Sequence, residues 1–351
     1  MKAVARRWNS LGVILSRGLL LLLVPALLAL LAFVLSLLVG SRTRTAVRAE
    51  GVISQPTRTF RCGPVFAAAL SPDGKQIVTC GKRDAFLLDL QSGSVTHSLT
   101  GHTDCVWFVA FALDGTRVLT GSEDRTAALW DVASGSCIRI FAGHASGVTS
   151  VALSSDGTRA LTGAGEVAWL WDVVTGTCIR TLTGHTDPIY SVAFSPDGES
   201  VLTGSADMTA KLWIAATGSC VRTFAGHTRW VGAVAFSPVG TRVLTGSGDR
   251  TAKLWDSAIG SCVRTFSGHA GRVECGVFSP DGARVLTGSA DKTAKVWDAA
   301  TGSCVRMFAG HTGEVRSVAF LSDGTHVLTG SADSTLMLWD SDPHDEPASS
   351  R

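Results

Sequence analysis

From about residue 57 the chain alternates short apolar runs with polar turns. In one unit Val273 to Phe278 is apolar, Ser279-Pro280-Asp281-Gly282 is polar, and Arg284 to Thr287 begins a second run. The Asp291 region turns the chain, Ala294 to Trp297 forms a third run, and Thr301-Gly302 turns again before Cys304 to Phe308. β-Branched residues within the runs favour strands, and Asp-Gly and Thr-Gly supply the positive φ that tight hairpins need. The pattern predicts a four-stranded antiparallel sheet in about forty residues.

The unit repeats. Gly-His occurs at His102, His144, His185, His227, His269 and His311, with spacings of 42, 41, 42, 42 and 42 residues. Trp-Asp follows at Trp130, Trp171, Trp255, Trp297 and Trp339, and Trp213-Ile214 holds the same register without its aspartate. A unit this short cannot bury a core alone, so neighbours must share faces. Turn glycines at Gly74, Gly115, Gly157, Gly198, Gly240, Gly282 and Gly324 set the count at seven.

The first copy is worn, with Phe60-Arg61 and Leu88-Asp89 at the positions of the two marks. The third lost one residue between Gly163 and Trp171, and with it the aspartate of its neighbours. That blade is therefore expected to be the least protected of those that keep both marks. No fourth strand follows Trp339-Asp340, so Thr57 to Phe60 is expected to complete the last sheet and leave no open edge.

These marks resemble those of the WD-repeat β-propeller family over roughly Thr57 to Asp340. The resemblance implies an all-β, seven-bladed propeller spanning residues 51–342, followed by a polar tail, 343–351. It also implies that histidine, aspartate and tryptophan form a hydrogen-bonded structural network inside each blade. The sets are His102 with Asp124 and Trp130, His185 with Asp207 and Trp213, and His227 with Asp249 and Trp255. His269 goes with Asp291 and Trp297, and His311 with Asp333 and Trp339. A strand hydroxyl should complete each set, Thr287 in copy six.

Residues 1–50 are of another kind. Gly18 to Gly40 is an uncharged run of 23 residues. As a helix it would reach about 35 Å, enough for a hydrocarbon core of about 30 Å. A single transmembrane helix contacting the bilayer is expected; the alternative is a cleaved signal peptide and a secreted or periplasmic propeller. Basic residues flank the run on both sides, so charge does not orient it. Net charge is +6 for the first 50 residues and −4 for the rest. No basic stripe marks a nucleic-acid binder.

Five cysteines, Cys137, Cys178, Cys220, Cys262 and Cys304, recur at one position. Equivalent sites in neighbouring blades stand too far apart for disulfides. They are expected to be small buried hydrophobes, and unpaired thiols favour a cytoplasmic propeller. His97, His326 and His344 do not converge, and no phosphate loop or nucleophile motif is present. No catalytic residue, metal or cofactor is expected.

Binding residues emerge from comparing the copies. An aliphatic four residues after each histidine, as at Val273, faces the core. The flanking positions point the other way by strand alternation. The resemblance places them on the top face near the channel. There the copies differ: Trp107, Tyr190, Trp230, Arg272 with Glu274, and Glu314 with Arg316. Phe66 is the counterpart in the worn copy, and Glu123 lies on the same rim. Aromatics beside arginine suit a protein or peptide partner, and a plain surface pairing of Glu274 with Arg316 is the alternative for the charged arc. The propeller itself is expected to be monomeric.

Overall fold

Each predicted unit folds as an antiparallel meander, and the seven meanders form the blades of a propeller. The computed structural model describes residues 51–53, 55–61 and 65–341. The apolar run Gly18–Gly40 and the tail beyond Ser341 lie outside the described residues. Among the described residues no helix is long and apolar enough to cross a membrane.

Blades one to six occupy 67–99, 106–141, 148–182, 189–225, 231–267 and 273–309. The worn first copy still forms four strands: Ala67–Leu70, Gln76–Gly81, Asp84–Asp89 and Val95–Leu99. Blade seven has three strands of its own, Val315–Phe320, His326–Ser331 and Thr335–Asp340. Its fourth, Arg58–Arg61, comes from the start of the domain and pairs antiparallel with the third, Phe60 facing Leu336. The Thr57 amide extends this pairing by donating to the Leu338 carbonyl at 2.7 Å. Phe60 is buried with Ile77, Leu88 and Leu336 between blades seven and one. Arg58–Arg61 and the last stretch of the described chain thus share one sheet, and the ring has no open seam.

A second N-terminal addition was not foreseen. Gly51–Ile53 pairs in parallel with Cys304–Ala309 and makes blade six five-stranded. Ile53 packs beside Phe308 and Trp339, and Met337 borders the same cluster.

The core is divided among the junctions. Each of seven apolar clusters draws side chains from two adjacent blades. Blade adhesion is therefore hydrophobic, and the backbone ladders lie within blades.

One expectation about the cysteines fails. Cys137, Cys178, Cys220 and Cys262 are exposed thiols. Each opens an outer strand just before a register shift, Cys137 opposite Trp130 and Arg139 opposite Leu129. That irregularity turns the side chain off the packed face at the perimeter.

Candidate functional site: a top rim carried on repeated hydrogen-bond networks

Beneath the top face each regular blade carries one chain of hydrogen bonds. In blade six the Trp297 indole N–H donates to Thr287 Oγ1 at 2.8 Å, and Thr287 Oγ1 lies 2.8 Å from His269 Nε2. His269 Nδ1 lies 2.8 Å from Asp291 Oδ2. An ionised carboxylate only accepts, so Nδ1 carries the proton and Nε2 takes the threonine hydroxyl. The same sequence links Trp130, Thr120, His102 and Asp124, and Trp213, Thr203, His185 and Asp207. It recurs through Trp255, Thr245, His227 and Asp249, and through Trp339, Thr329, His311 and Asp333.

The aspartate is fully used. Besides the histidine, Asp291 accepts the Ala270 amide on Oδ2 and both the amide and hydroxyl of Thr293 on Oδ1. Lys292 between them has φ +71°. A non-glycine residue there is strained, and the aspartate holds the turn against that strain.

Protonation follows from these contacts. Burial pushes the His185, His227 and His311 pKa values below the usual histidine range, and the aspartate partner only partly opposes it. Burial alone would raise Asp333, but hydrogen bonds from Thr335, the Thr312 amide and His311 lower it to about 2. Asp291 is lowered further in the same way, by His269 and Thr293. In blades four, five and seven the pairs are neutral histidine against carboxylate, and in every regular blade the carboxylate oxygens point at donors of their own blade. This arrangement fixes loops and leaves no free base.

Blade three closes its network differently. His144 Nε2 lies 2.8 Å from Thr162 Oγ1, which also accepts from Trp171. Its Nδ1 donates to the Arg125 carbonyl of blade two at 3.0 Å. The shortened turn uses Gly165 at φ +57°. Trp169 stacks on Trp171 with centroids 5.6 Å apart and 12° between planes, and its edge meets His144 at 5.4 Å. Sequence reading passed over Trp169. Its third-strand position, lysine in blades four to six, was the available signal.

Above the networks lies the rim, where most of the named residues form one run. Arg272 binds Glu274 of its own blade and Glu314 of blade seven, the latter at 2.8 Å. Glu314 also pairs with Arg316 at 3.1 Å, so it bridges the two arginines, where the alternative reading had paired Glu274 with Arg316. The Arg316 guanidinium lies 5.6 Å from the centre of the Phe66 ring, and Phe66 meets Trp107 at 4.8 Å. The Trp107 indole donates to Glu123 Oε2 at 2.8 Å. Gly147 of blade three leaves room for that glutamate, since a Cβ there would come within 2.5 Å of its Oε2. The run covers blades six, seven, one and two.

Tyr190 and Trp230 form a separate edge-to-face pair at 5.8 Å across blades four and five. Trp230 is seated against Gly232 and Gly248, where any side chain would overlap its ring. Trp107 is 36% exposed and Tyr190 40%, whereas Trp230 is half-buried. Burial raises the Glu274 pKa, against the opposing effect of Arg272. Inside the rim a channel cavity of about 830 Å³ is lined by inner strands of all seven blades, with Ala69, Phe108, Phe194 and Val277 among its walls. Among the described residues no cluster of His, Cys, Asp and Glu could hold a metal ion.

The blades, their networks and their ring closure define a repeat β-propeller. The sequence model described as "WD domain, G-beta repeat" matches residues 93–131, 135–172, 176–213, 218–256, 260–298 and 302–340. The chain belongs to that family. Similar curated proteins include the intraflagellar transport protein 122 homologs of Xenopus tropicalis and Danio rerio, each 34% identical over 62 residues, covering 18% of this chain and 5% of theirs. The Homo sapiens homolog is 36% identical over 58 residues, 16% of this chain and 5% of its own length. The matches thus span about a twentieth of those relatives, and the likeness is one of repeat sequence.

Proposed function

We propose that this WD-repeat propeller is a binding platform that presents its top rim to a protein or peptide, tethered to a bilayer by Gly18–Gly40. The run from Glu274 to Glu123 carries the reading. Repeated positions are occupied by the internal networks, while the rim positions differ from blade to blade and join into one surface of charge and aromatic faces. A peptide with an apolar anchor and a charged flank fits that division: the anchor beside Trp107 or between Tyr190 and Trp230, the flank along Arg272, Glu314 and Arg316. A binding role without catalysis agrees with the networks, whose aspartates are already saturated by donors.

Trp107→Ala and Tyr190→Ala should each weaken partner capture by about 2 kcal/mol, with little change in melting temperature because both side chains are substantially exposed. Proximity labelling by the full-length protein, with and without these substitutions, reads this out. Unchanged labelling together with a large loss of stability would show that the aromatics are packing residues. For the tether, full-length protein should resist carbonate extraction at its intact mass. A shortened, freely soluble product would favour the secreted or periplasmic alternative.

A further inference from the structure

The edge of blade six that carries the parallel strand has apolar residues at two positions where most other blade edges have at least one polar residue. Val52 stands opposite Met307, and Ile53 opposite Phe308. Met307 occupies an outer-strand position that is Ser98 in blade one and threonine in blades three, four and five. Met337, bordering the cluster that receives Ile53, takes a third-strand position that is lysine in blades four, five and six. The occupied edge thus combines an apolar residue on its own outer strand with a second on the third strand of the following blade.

One further edge has both. In blade two the outer-strand position is Ile140, 60% exposed. The following blade supplies Trp169, packed on the cluster that holds Phe141 and Trp171. Phe141 meets Trp171 at 5.6 Å, as Phe308 meets Trp339 at 5.5 Å. The strand Cys137–Phe141 is the outermost of its sheet, so its outward backbone groups face away from any ladder of that blade.

We propose that this edge of blade two receives a strand from a partner polypeptide. The partner segment is extended, carries two consecutive β-branched aliphatics and lies parallel to Cys137–Phe141, as Gly51–Ile53 lies on blade six. Backbone bonds supply the pairing and the two apolar seats select the side chains. The chain's own tail does not suit the seat, since Asp342 to Arg351 contains two prolines and no β-branched residue. Its own Gly51–Ile53 is already placed on blade six.

The repeated cysteines allow a direct test. In blade six Gly51 stands opposite Arg306, whose counterpart in blade two is Arg139. A peptide bound in that register carries a cysteine placed two residues ahead of its glycine toward Cys137, two residues ahead of Arg139. A peptide of residues 48–55 carrying Ala49→Cys as its 2-pyridyl disulfide is added to the full-length protein, and adducts are mapped by mass spectrometry. Attack by a protein thiolate expels thiopyridone and leaves the peptide on that cysteine. Cys178, Cys220 and Cys262 are exposed at the same register of blades three to five and serve as internal references. Burial raises the pKa of the Cys137 thiol, so acidity does not favour it. Trapping at Cys137 should exceed each reference by about tenfold, as burial of a half-exposed isoleucine supports. Ile140→Thr, which restores the residue of the neighbouring blades, should remove the excess. Equal trapping at the four cysteines, or an excess that survives Ile140→Thr, would overturn the proposal. So would a concentration-dependent dimer in which Cys137 lies against Gly51–Ile53 of a second copy.

Discussion

Blade six and blade three anchor the same histidine in two ways. In blade six Asp291 accepts the hydrogen bond from His269 Nδ1 and closes the hairpin around a strained lysine. In blade three there is no aspartate, the hairpin is one residue shorter, a glycine takes the left-handed position, and the proton goes to a carbonyl of the preceding blade. The common part is the tryptophan, threonine and histidine. The aspartate serves chiefly to bind a loop and a turn to the ring nitrogen, and a neighbour's backbone can take over the nitrogen. His144 therefore ties two blades together where His269 ties one blade to itself.

The largest effects should come from the shared part. Trp297→Ala should cost about 3–5 kcal/mol through the cavity it leaves. Trp171→Ala should cost at least as much, because beyond the phenylalanine contact that both tryptophans make it also removes the stack with Trp169. Denaturant titration of the two variants would decide, and a clearly smaller loss for Trp171→Ala would mean that blade three is loosely held.

Next comes the aspartate. Asp291→Ala strands the His269 N–H, the Ala270 amide and the Thr293 donors, and should cost about 1–3 kcal/mol. Inserting an aspartate before Gly165 should bring no matching gain, since His144 Nδ1 already has a partner. A stabilised insertion would show that the carbonyl is a poor substitute.

Smaller still is the turn. Gly165→Ala should lose about 1–2 kcal/mol, because an L-residue is strained at φ +57° and its Cβ would come within 2.8 Å of Ser146 Oγ.

The last effect is in pH. Burial depresses His144 as well as His185, His227 and His311. Below about pH 6.5 the unfolded chain binds protons that the folded blades refuse, so stability falls with pH in both kinds of blade. The depressed aspartates add a second loss that starts below about pH 4 and extends toward their folded values, about 2 for Asp333. Blade three lacks the network aspartate, although Asp156 in its first hairpin is also held at about 2 by Ser154 and Thr158. The amides of the Gly165 turn in particular should therefore lose less exchange protection than those around Asp333 in that window. Parallel losses in the two blades would erase the distinction.

The ring was legible because its signals are local. Turn glycines fix the blade count, and the missing fourth strand after Trp339 pointed to the pairing of Arg58–Arg61 with blade seven. Contacts that depend on a neighbouring blade were not legible. Nothing near His144 in sequence announces the Arg125 carbonyl, and Glu314 meets Arg272 only because their blades adjoin. Gly51–Ile53 is too short for any periodicity, and its seat on Met307 and Met337 is assembled from two other blades. The outward cysteines depend on a register shift that composition does not encode.

The N-terminal additions also have a mechanical meaning. A pull on the chain ahead of Gly51 meets three residues paired to blade six before it reaches Arg58–Arg61 and the closure of blade seven. The first pairing can yield and re-form while the ring stays shut. Gly51–Ile53 thus stands in series with the seam as a fuse, taking load at a site where failure leaves every blade intact.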